Sequence, residues 1–345
     1  MSPHSQTLAV PPGGEGAAVV TQDVVRRFAT FTAVNGVSIR VKRGEVFGFL
    51  GPNGSGKTTV IKMLTGLLPM SAGAAWVDGL DVATQTDGVR ERIGYMSQKF
   101  SLYDDLTVTE NLNFYGMAYG LEPARLKRRL DFMITLNGLG PYLDRQAGQL
   151  SGGWKQRLAL GCSMLHEPRI MFLDEPTAGI DPVARRQLWD LIFELSGQGI
   201  TFFVTTHYMD EAERCSHVAY IYYGELIADG TPDTLREMPE VNPPGTRRIE
   251  ITAPEITRAL RLAREMPSIR SATVFGQSIH ALVDEHFDEA ELWARLSRQG
   301  IPVHEIRPLT ASLEDVFVEL TYRRQAEREN GNAGVQAASS AGGAQ

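Results

Sequence analysis

The stretch GPNGSGKTT, residues 51–59, contains the residue types that bind a nucleotide phosphate. It fits the pattern G-x-x-x-x-G-K-[ST], in which successive backbone N–H groups and a helix N-terminus surround the phosphates. Lys57 is expected to reach the β and γ oxygens and the Thr58 hydroxyl to bind Mg²⁺. The expected nucleotide-binding residues of this loop are Asn53, Gly54, Ser55, Gly56, Lys57, Thr58 and Thr59, and Gly51 opens the pattern.

Two adjacent carboxylates, Asp174 and Glu175, follow the apolar run 170–173. Carboxylates at the end of a buried strand are costly unless each has a partner, which a Mg²⁺-bound triphosphate supplies. We expect Asp174 to bind the metal and Glu175 to act on the attacking water, as general base or polariser. The alternative is that both acids only favour the N-terminus of the helix that follows Pro182.

Three further side chains are candidates for the same site. His207 follows the apolar run 200–205 and is expected to hydrogen-bond the γ-phosphate. Gln98 follows a predicted strand and is a candidate for Mg²⁺ or the water. Phe28 is interpreted either as a stacking face for adenine or as a core aromatic.

The segment QLSGGWKQR, residues 149–157, places two glycines at the start of a predicted helix that runs until Pro168. Ser151 is the expected N-cap. Gly152 and Gly153 each weaken a helix by about 1 kcal/mol relative to alanine. A helix N-terminus lined by glycine suits an anion.

The elements that must position these residues alternate between strand and helix. The strand 46–50 runs directly into the phosphate loop and the helix behind it, and the runs 170–173 and 200–205 are typical of strands buried on both faces of a parallel sheet. Ligands bind at the carboxyl ends of such strands, so the three motifs are expected to meet at one edge.

Composition and charge argue against several classes of function. The net charge is −7 and the basic clusters are short, which argues against nucleic acid as a partner. No apolar run approaches the roughly 18 residues of a membrane span, and the first residues do not resemble a secretory signal. Cys162 and Cys215 lack metal-ligand spacing, which favours structural thiols in a reducing compartment.

Taken together, these motifs resemble those of an ATP-binding cassette (ABC) ATPase, and the match covers about residues 19–235. GPNGSGKT resembles the Walker A loop, IMFLDE the Walker B strand, LSGGWKQ the signature and AGID the D-loop, which contains Asp181. Gln98 corresponds to the Q-loop and His207 to the switch histidine. Trp154 and Ile180 depart mildly from the usual pattern and remove no catalytic group.

The resemblance implies a dimer. Ser151, Gly152 and Gly153 would contact the γ-phosphate of ATP held by a second copy, head to tail, and Asp181 is also expected among the nucleotide-binding residues. A heterologous contact made twice about a two-fold axis closes on itself and forms two composite sites. The expected cofactors are ATP and Mg²⁺, and the expected form is a homodimer that ATP closes and hydrolysis opens.

The resemblance also implies a fold and a domain order. We expect an α/β P-loop ABC ATPase domain over residues 19–237, with a RecA-like core and a helical subdomain at about 99–165. A linker at 238–246 would join it to a ferredoxin-like α+β domain at 247–323, because the predicted order there is βαββαβ. That domain is expected to brace the dimer, with ligand sensing as an alternative. Residues 1–18 and 324–345 are predicted to be disordered.

The length of the chain bears on what the ATPase drives. About 95 residues separate Lys57 from Ser151, which leaves no room for the coiled coil of a chromosome ATPase. We expect a subunit of an exporter of the drug, antibiotic or polysaccharide branch, at the cytoplasmic face of the membrane with a separate permease. Thr109 is the expected N-cap of an aromatic helix in the permease-facing subdomain. The alternatives are an importer or sodium-efflux ATPase and a soluble regulatory ABC ATPase.

Overall fold

The computed structural model describes residues 16–98 and 101–341, with side chains through residue 328. The chain divides into two compact units between Thr231 and Pro232. Most of the predicted disordered start lies outside the described residues, but its last two residues, Ala17 and Ala18, already belong to the first strand. Among the described residues no helix is both long and apolar enough to cross a membrane.

The first unit contains two sheets and the helices around them. Its strands are β1 (Ala17–Phe28), β2 (Phe31–Val37), β3 (Arg40–Lys42), β4 (Val46–Leu50), β5 (Ala72–Val77), β6 (Leu80–Asp81), β7 (Ile93–Met96), β8 (Ile170–Asp174), β9 (Thr201–Thr206), β10 (His217–Tyr222) and β11 (Glu225–Gly230). Its helices are α1 (Lys57–Leu64), α2 (Thr86–Arg92), α3 (Val108–Ala118), α4 (Pro123–Asn137), α5 (Gly152–Ser163), α6 (Pro182–Gly197) and α7 (Met209–Ala212).

The central sheet has the order β11-β10-β4-β9-β8-β7. Strands β10, β4, β9, β8 and β7 are parallel neighbours, and β11 adds an antiparallel edge. Every residue of β4, β8 and β9 is buried, as the continuous apolar runs predict for strands covered on both faces. The second sheet, β2-β1-β5-β6 with β3 beside β1, is antiparallel.

The strand register places the ends of β4, β9 and β8 next to one another. Leu50 of β4 pairs with Thr206 of β9, and Thr205 pairs with Asp174 of β8. The residues that follow these three strands therefore emerge side by side, so the expectation of one shared edge is confirmed.

The helices α3, α4 and α5 form the predicted helical subdomain, with two differences from the sequence analysis. The N-cap of α3 is Thr107 rather than Thr109, because Thr107 and Glu110 form a reciprocal capping box. Helix α5 ends at Ser163, before Pro168, and the Arg129 guanidinium binds two carbonyl oxygens that follow it.

The second unit has the predicted βαββαβ order. Its elements are α8 (Pro232–Arg236), β12 (Thr246–Thr252), α9 (Ile256–Arg264), β13 (Ile269–Phe275), β14 (Ser278–Asp284), α10 (Glu289–Arg298), β15 (Glu305–Pro308) and α11 (Leu313–Ala341). The sheet order β13-β14-β12-β15 with all neighbours antiparallel is ferredoxin-like. Its core includes Ile249 and Ile251 of β12 and Ala259 and Ala263 of α9.

Two segments differ from the predicted boundaries of this unit. The unit begins at Pro232, and Val241, from the predicted linker, is buried and its carbonyl accepts from Arg248. Helix α11 continues to Ala341, through most of the tail predicted to be disordered. Alanine, glutamine and arginine are good helix formers, so a helix already begun at Leu313 can propagate through a tail of this composition.

Candidate functional site

The loop between β4 and α1 depends on its glycines. Gly54 and Gly56 have φ angles of 80° and 112°, a region that L side chains rarely adopt. A Cβ on Gly51 would lie 2.3 Å from the Ile221 carbonyl oxygen, and one on Gly56 would lie 2.6 Å from that of Ala33. Gly56 is the N-cap of α1 and supplies no side-chain cap, so the first N–H groups of that helix are left for an anion.

The Lys57 ammonium is buried at the centre of this loop. Its Nζ donates to the carbonyl oxygens of Gly51 at 2.8 Å and Pro52 at 3.2 Å. It also lies 3.2 Å from Glu175 Oε1, and both side chains are less than a tenth exposed. The Lys57 ammonium therefore lies at the predicted phosphate loop, where the Glu175 carboxylate balances its charge.

Asp174 lies deep at the end of β8. Its Oδ1 accepts from Thr205 Oγ1 at 2.7 Å, and the Thr58 side chain lies near this carboxylate. Its Oδ2 is buried and has no hydrogen-bond partner in the described part of the chain. Burial raises the pKa of Asp174. A buried oxygen without a partner, beside a threonine hydroxyl, is the donor set that a hard cation prefers.

The Glu175 carboxylate also lies next to Gln98 and His207. Gln98 Nε2 donates to its Oε2 at 2.9 Å, and His207 Nδ1 lies 3.5 Å from the same oxygen. Its backbone has φ 50°, a strained conformation for a residue with a side chain, and its N–H donates to Thr205 Oγ1. One carboxylate therefore contacts the residues predicted as Walker A lysine, Q-loop glutamine and switch histidine.

The sequence analysis missed the residues that hold the segment around His207. Glu211, which is 1% exposed, accepts from the hydroxyls of Thr177 and Thr206, on either side of the site. Thr206 Oγ1 also accepts from the Tyr208 N–H at 3.0 Å. The signal in the sequence is a threonine three residues after β8, a second threonine at the end of β9, and an acid four residues after the histidine.

A cleft of about 360 Å³ opens beside the phosphate loop. Phe28 and Phe31 line it, and their rings stack with centroids 5.4 Å apart. Phe28 is 37% exposed and Phe31 60%, so the interpretation of Phe28 as a core aromatic is wrong. Phe31 is a second missed residue. The remaining lining residues are Ala33, Asn53, Gly54, Gly56, Lys57, Thr58, Thr59, Gln98 and Glu175.

The predicted signature lies elsewhere in the same chain. Ser151 is exposed at the N-cap of α5 and its side chain makes no capping hydrogen bond. A Cβ on Gly153 would lie 2.6 Å from Ala184 Cβ, so this glycine lets α6 approach α5. Asp181 caps α6 and accepts from two backbone N–H groups.

Among the described residues, none of the signature residues Ser151, Gly152 and Gly153 lines the cleft at the phosphate loop, and neither does Asp181. Gly153 therefore has a reason within the chain, close packing against α6, that the sequence did not reveal. A Cβ on Gly152 would lie 3.3 Å from Ile180 Cγ2, ahead of that helix, and a small shift of that side chain would accommodate it.

Comparison with known proteins identifies relatives of this chain. The ABC transporter family matches residues 34–178. The chain is 45% identical over 236 residues to "Probable multidrug ABC transporter ATP-binding protein YbhF" of Escherichia coli (strain K12); this match covers 68% of the chain and 41% of that protein. It is 36% identical over 321 residues to "Daunorubicin resistance ATP-binding protein DrrA2" of Streptomyces coeruleorubidus, covering 91% of the chain and 98% of that protein.

A solved structure described as the ATP-binding subunit of an ABC transporter aligns with a TM-score of 0.58 and 31% identity, over 64% of this chain and 92% of that one. The chain spans well under half of YbhF but nearly all of DrrA2. The P-loop cassette fold and the exporter-like resemblance are thereby confirmed. The chain belongs to the ABC transporter family, as an ATP-binding protein of the exporter-like branch.

Proposed function

We propose that this chain hydrolyses ATP and, as a head-to-tail homodimer, drives a separate membrane permease that exports its cargo. The observation that carries the proposal is the convergence on Glu175 of Lys57, Gln98 and His207, beside a glycine loop suited to phosphates. ATP-binding domains of this family are ATPases, and the residues proposed for hydrolysis lie together here, which supports the proposal.

The phosphate loop and α1 would bind the nucleotide phosphates through backbone N–H groups, and Lys57 would move from Glu175 to the phosphate oxygens. Mg²⁺ would be held by Thr58 and Asp174, whose Oδ2 has no partner among the described residues, and it supplies charge neutralisation at the phosphates. Glu175, released from Lys57, would accept a proton from the attacking water or orient it.

Gln98 and His207 both lie next to the Glu175 carboxylate. The amide of Gln98 already bonds Glu175 Oε2, so it would orient that carboxylate or the water next to it. His207 lies within 3.5 Å of the same oxygen and would contact the γ-phosphate through its ring nitrogen. The adenine would stack on Phe28 or Phe31, which both border the cleft.

The signature would complete the site of a second copy. Ser151 is exposed and its hydroxyl does not cap its own helix, which leaves it available to a phosphate outside the chain. Gly152 and Gly153 would let that phosphate approach the N-terminus of α5. Asp181 would lie at the same interface, because it caps the helix that packs against Gly153.

The helical subdomain is the proposed contact with the permease. Tyr103 and Phe114, 47% and 38% exposed, pack edge to face with ring centroids 4.6 Å apart, and Met117 on the same helix is 64% exposed. Clustered aromatics on an otherwise polar surface favour a protein partner. Relatives named for multidrug transport and daunorubicin resistance support an exporter, and we place this chain at the cytoplasmic face of the membrane as part of the proposal.

The proposal is tested by recovering the chain with its partner. The tagged chain is purified from detergent-solubilised membranes, associated integral membrane proteins are identified, and ATP hydrolysis is measured with and without them. A multispan partner whose presence changes the hydrolysis rate is expected. Met117→Glu should reduce recovery of that partner, whereas Lys127→Glu, on α4, serves as a matched surface control. An active ATPase found only in the soluble fraction would refute the permease coupling.

A further inference from the structure

A second cavity of about 360 Å³ lies wholly within the second unit, between β13 and the first three turns of α11. The buried side chains of His280 and Asp315 line it. This volume is within the range of small-molecule pockets, which combine apolar walls with a few placed polar groups. Nothing in the proposed ATPase cycle uses this cavity.

At the inner end of the cavity, a contact with Asp315 fixes the orientation of the His280 ring. Asp315 accepts from the Ser312 N–H at 2.8 Å, the Ser312 hydroxyl at 2.7 Å and His280 Nδ1 at 3.0 Å. Although burial opposes it, these hydrogen bonds hold the pKa of Asp315 below its ordinary value. An ionised carboxylate only accepts, so Nδ1 carries a proton, and in the neutral imidazole Nε2 is then the acceptor.

Flat apolar groups form the walls. The His280 ring stacks on Phe275 with centroids 4.4 Å apart and an interplanar angle of 12°. Val274 and Val318 line the same space. Among the described residues no cluster of three or more metal-ligating side chains occurs, so the cavity suits an organic ligand rather than a metal ion.

The rim carries unused guanidinium donors. Arg264 donates through Nε and Nη2 to the Ala272 carbonyl oxygen, and in the described part of the chain no acidic side chain forms an ion pair with it. Arg270 uses its Nε on Asp284 at 2.7 Å. A guanidinium has five N–H donors, so both arginines can bind a further anion at the mouth.

We propose that this cavity binds a small aromatic carboxylic acid that also carries a hydroxyl group. The ring packs against the Phe275 wall, the hydroxyl donates to His280 Nε2, and the carboxylate binds Arg264 at the rim. The second unit is on this basis a ligand-binding domain, which extends the ligand-sensing alternative of the sequence analysis. The site is independent of the proposed ATPase function.

The test measures binding of three probes to the full chain by isothermal titration calorimetry, without nucleotide. The probes are 4-hydroxybenzoate, benzoate, which lacks the hydroxyl, and 4-hydroxybenzamide, which lacks the charge. We expect 4-hydroxybenzoate to bind and each of the others to bind about tenfold more weakly, the loss of a single hydrogen bond. No binding of any probe at about 10 mM, where even a weak specific site would be detected, would overturn the proposal.

Variants locate the site. Arg264→Gln and His280→Gln should each weaken 4-hydroxybenzoate about tenfold, whereas Arg261→Gln, an exposed arginine one turn earlier on α9, should leave it unchanged. Thr273→Phe, which fills the cavity, should abolish binding while Thr273→Val retains it. Equal affinity of the Arg264 and Arg261 variants, or unchanged binding by folded Thr273→Phe, would refute this placement.

Discussion

Glu175→Gln separates the two roles assigned to this carboxylate. Glu175 Oε1 lies 3.2 Å from Lys57 Nζ, and both side chains are less than a tenth exposed. ATP can bind only if Lys57 leaves this contact for the phosphate. Glutamine has the same shape but no charge, so the substitution removes the competitor and also the group proposed to act on water.

The magnitude follows from the contact that is lost. A hydrogen bond between charged groups contributes about 2 kcal/mol net, and that free energy corresponds to roughly 30-fold in a dissociation constant. We expect Glu175→Gln to bind ATP roughly 30-fold more tightly and to hydrolyse it about 10²–10⁴-fold more slowly, the usual contribution of a positioned acid–base group. Tighter binding without turnover should also leave a stable ATP-bound dimer.

The assay uses a fluorescent ATP analogue for affinity, phosphate release for turnover and size-exclusion chromatography with ATP and Mg²⁺ for the dimer. Glu194→Gln, at an exposed position of α6, is the matched control and should behave as wild type. ATP affinity within twofold of wild type would refute the competition between carboxylate and phosphate for Lys57. Hydrolysis at the wild-type rate would remove Glu175 from the mechanism, and a monomer with ATP would contradict the head-to-tail dimer.

Substitutions at four further positions test how the cassette is held together. Glu211→Ala leaves two buried threonine hydroxyls without their acceptor and should cost about 3 kcal/mol in urea unfolding, whereas Glu211→Gln should cost less. Gly153→Ala should destabilise the protein because its Cβ meets α6. Gly197→Ala, with nothing within 4 Å, should stabilise it by about 0.5–1 kcal/mol. Thermal melts should therefore show a lower melting temperature for the first variant and a higher one for the second. The hydrogen bond to Asp229 raises the pKa of His217, so this pair stabilises fully below about pH 6.5 and less as the pH rises through the raised pKa. His217→Gln should flatten that part of the stability profile, by less than about 1 kcal/mol because the pair is partly exposed.

Local patterns predicted most of the elements. The phosphate loop, the buried strands and the βαββαβ order follow from glycine spacing, apolar runs and alternation, which depend on neighbours only a few residues apart. One boundary was predicted wrongly. The expected cap of α3 was Thr109, but Thr107 caps the helix through its reciprocal bond with Glu110, and Thr109 lies inside the first turn.

The cleft and the signature show what local patterns miss. Phe31 becomes part of the cleft because the turn between β1 and β2 stacks it on Phe28. The close approach of Ala184 to Gly153 depends on how α6 packs on α5, and the motif itself contains no sign of it. Both contacts depend on the relative placement of elements rather than on residue type.

The sequence by itself determined which groups are available for chemistry: a phosphate loop, two carboxylates at a strand end, a glutamine and a histidine. Only the tertiary structure decided that Lys57, Gln98 and His207 meet on one oxygen pair of Glu175. Likewise only folding brings Asp315 onto His280, 35 positions earlier in the chain. The physical reason is that strand register and helix packing set these distances, and a buried charge is stable only where those distances supply its partner.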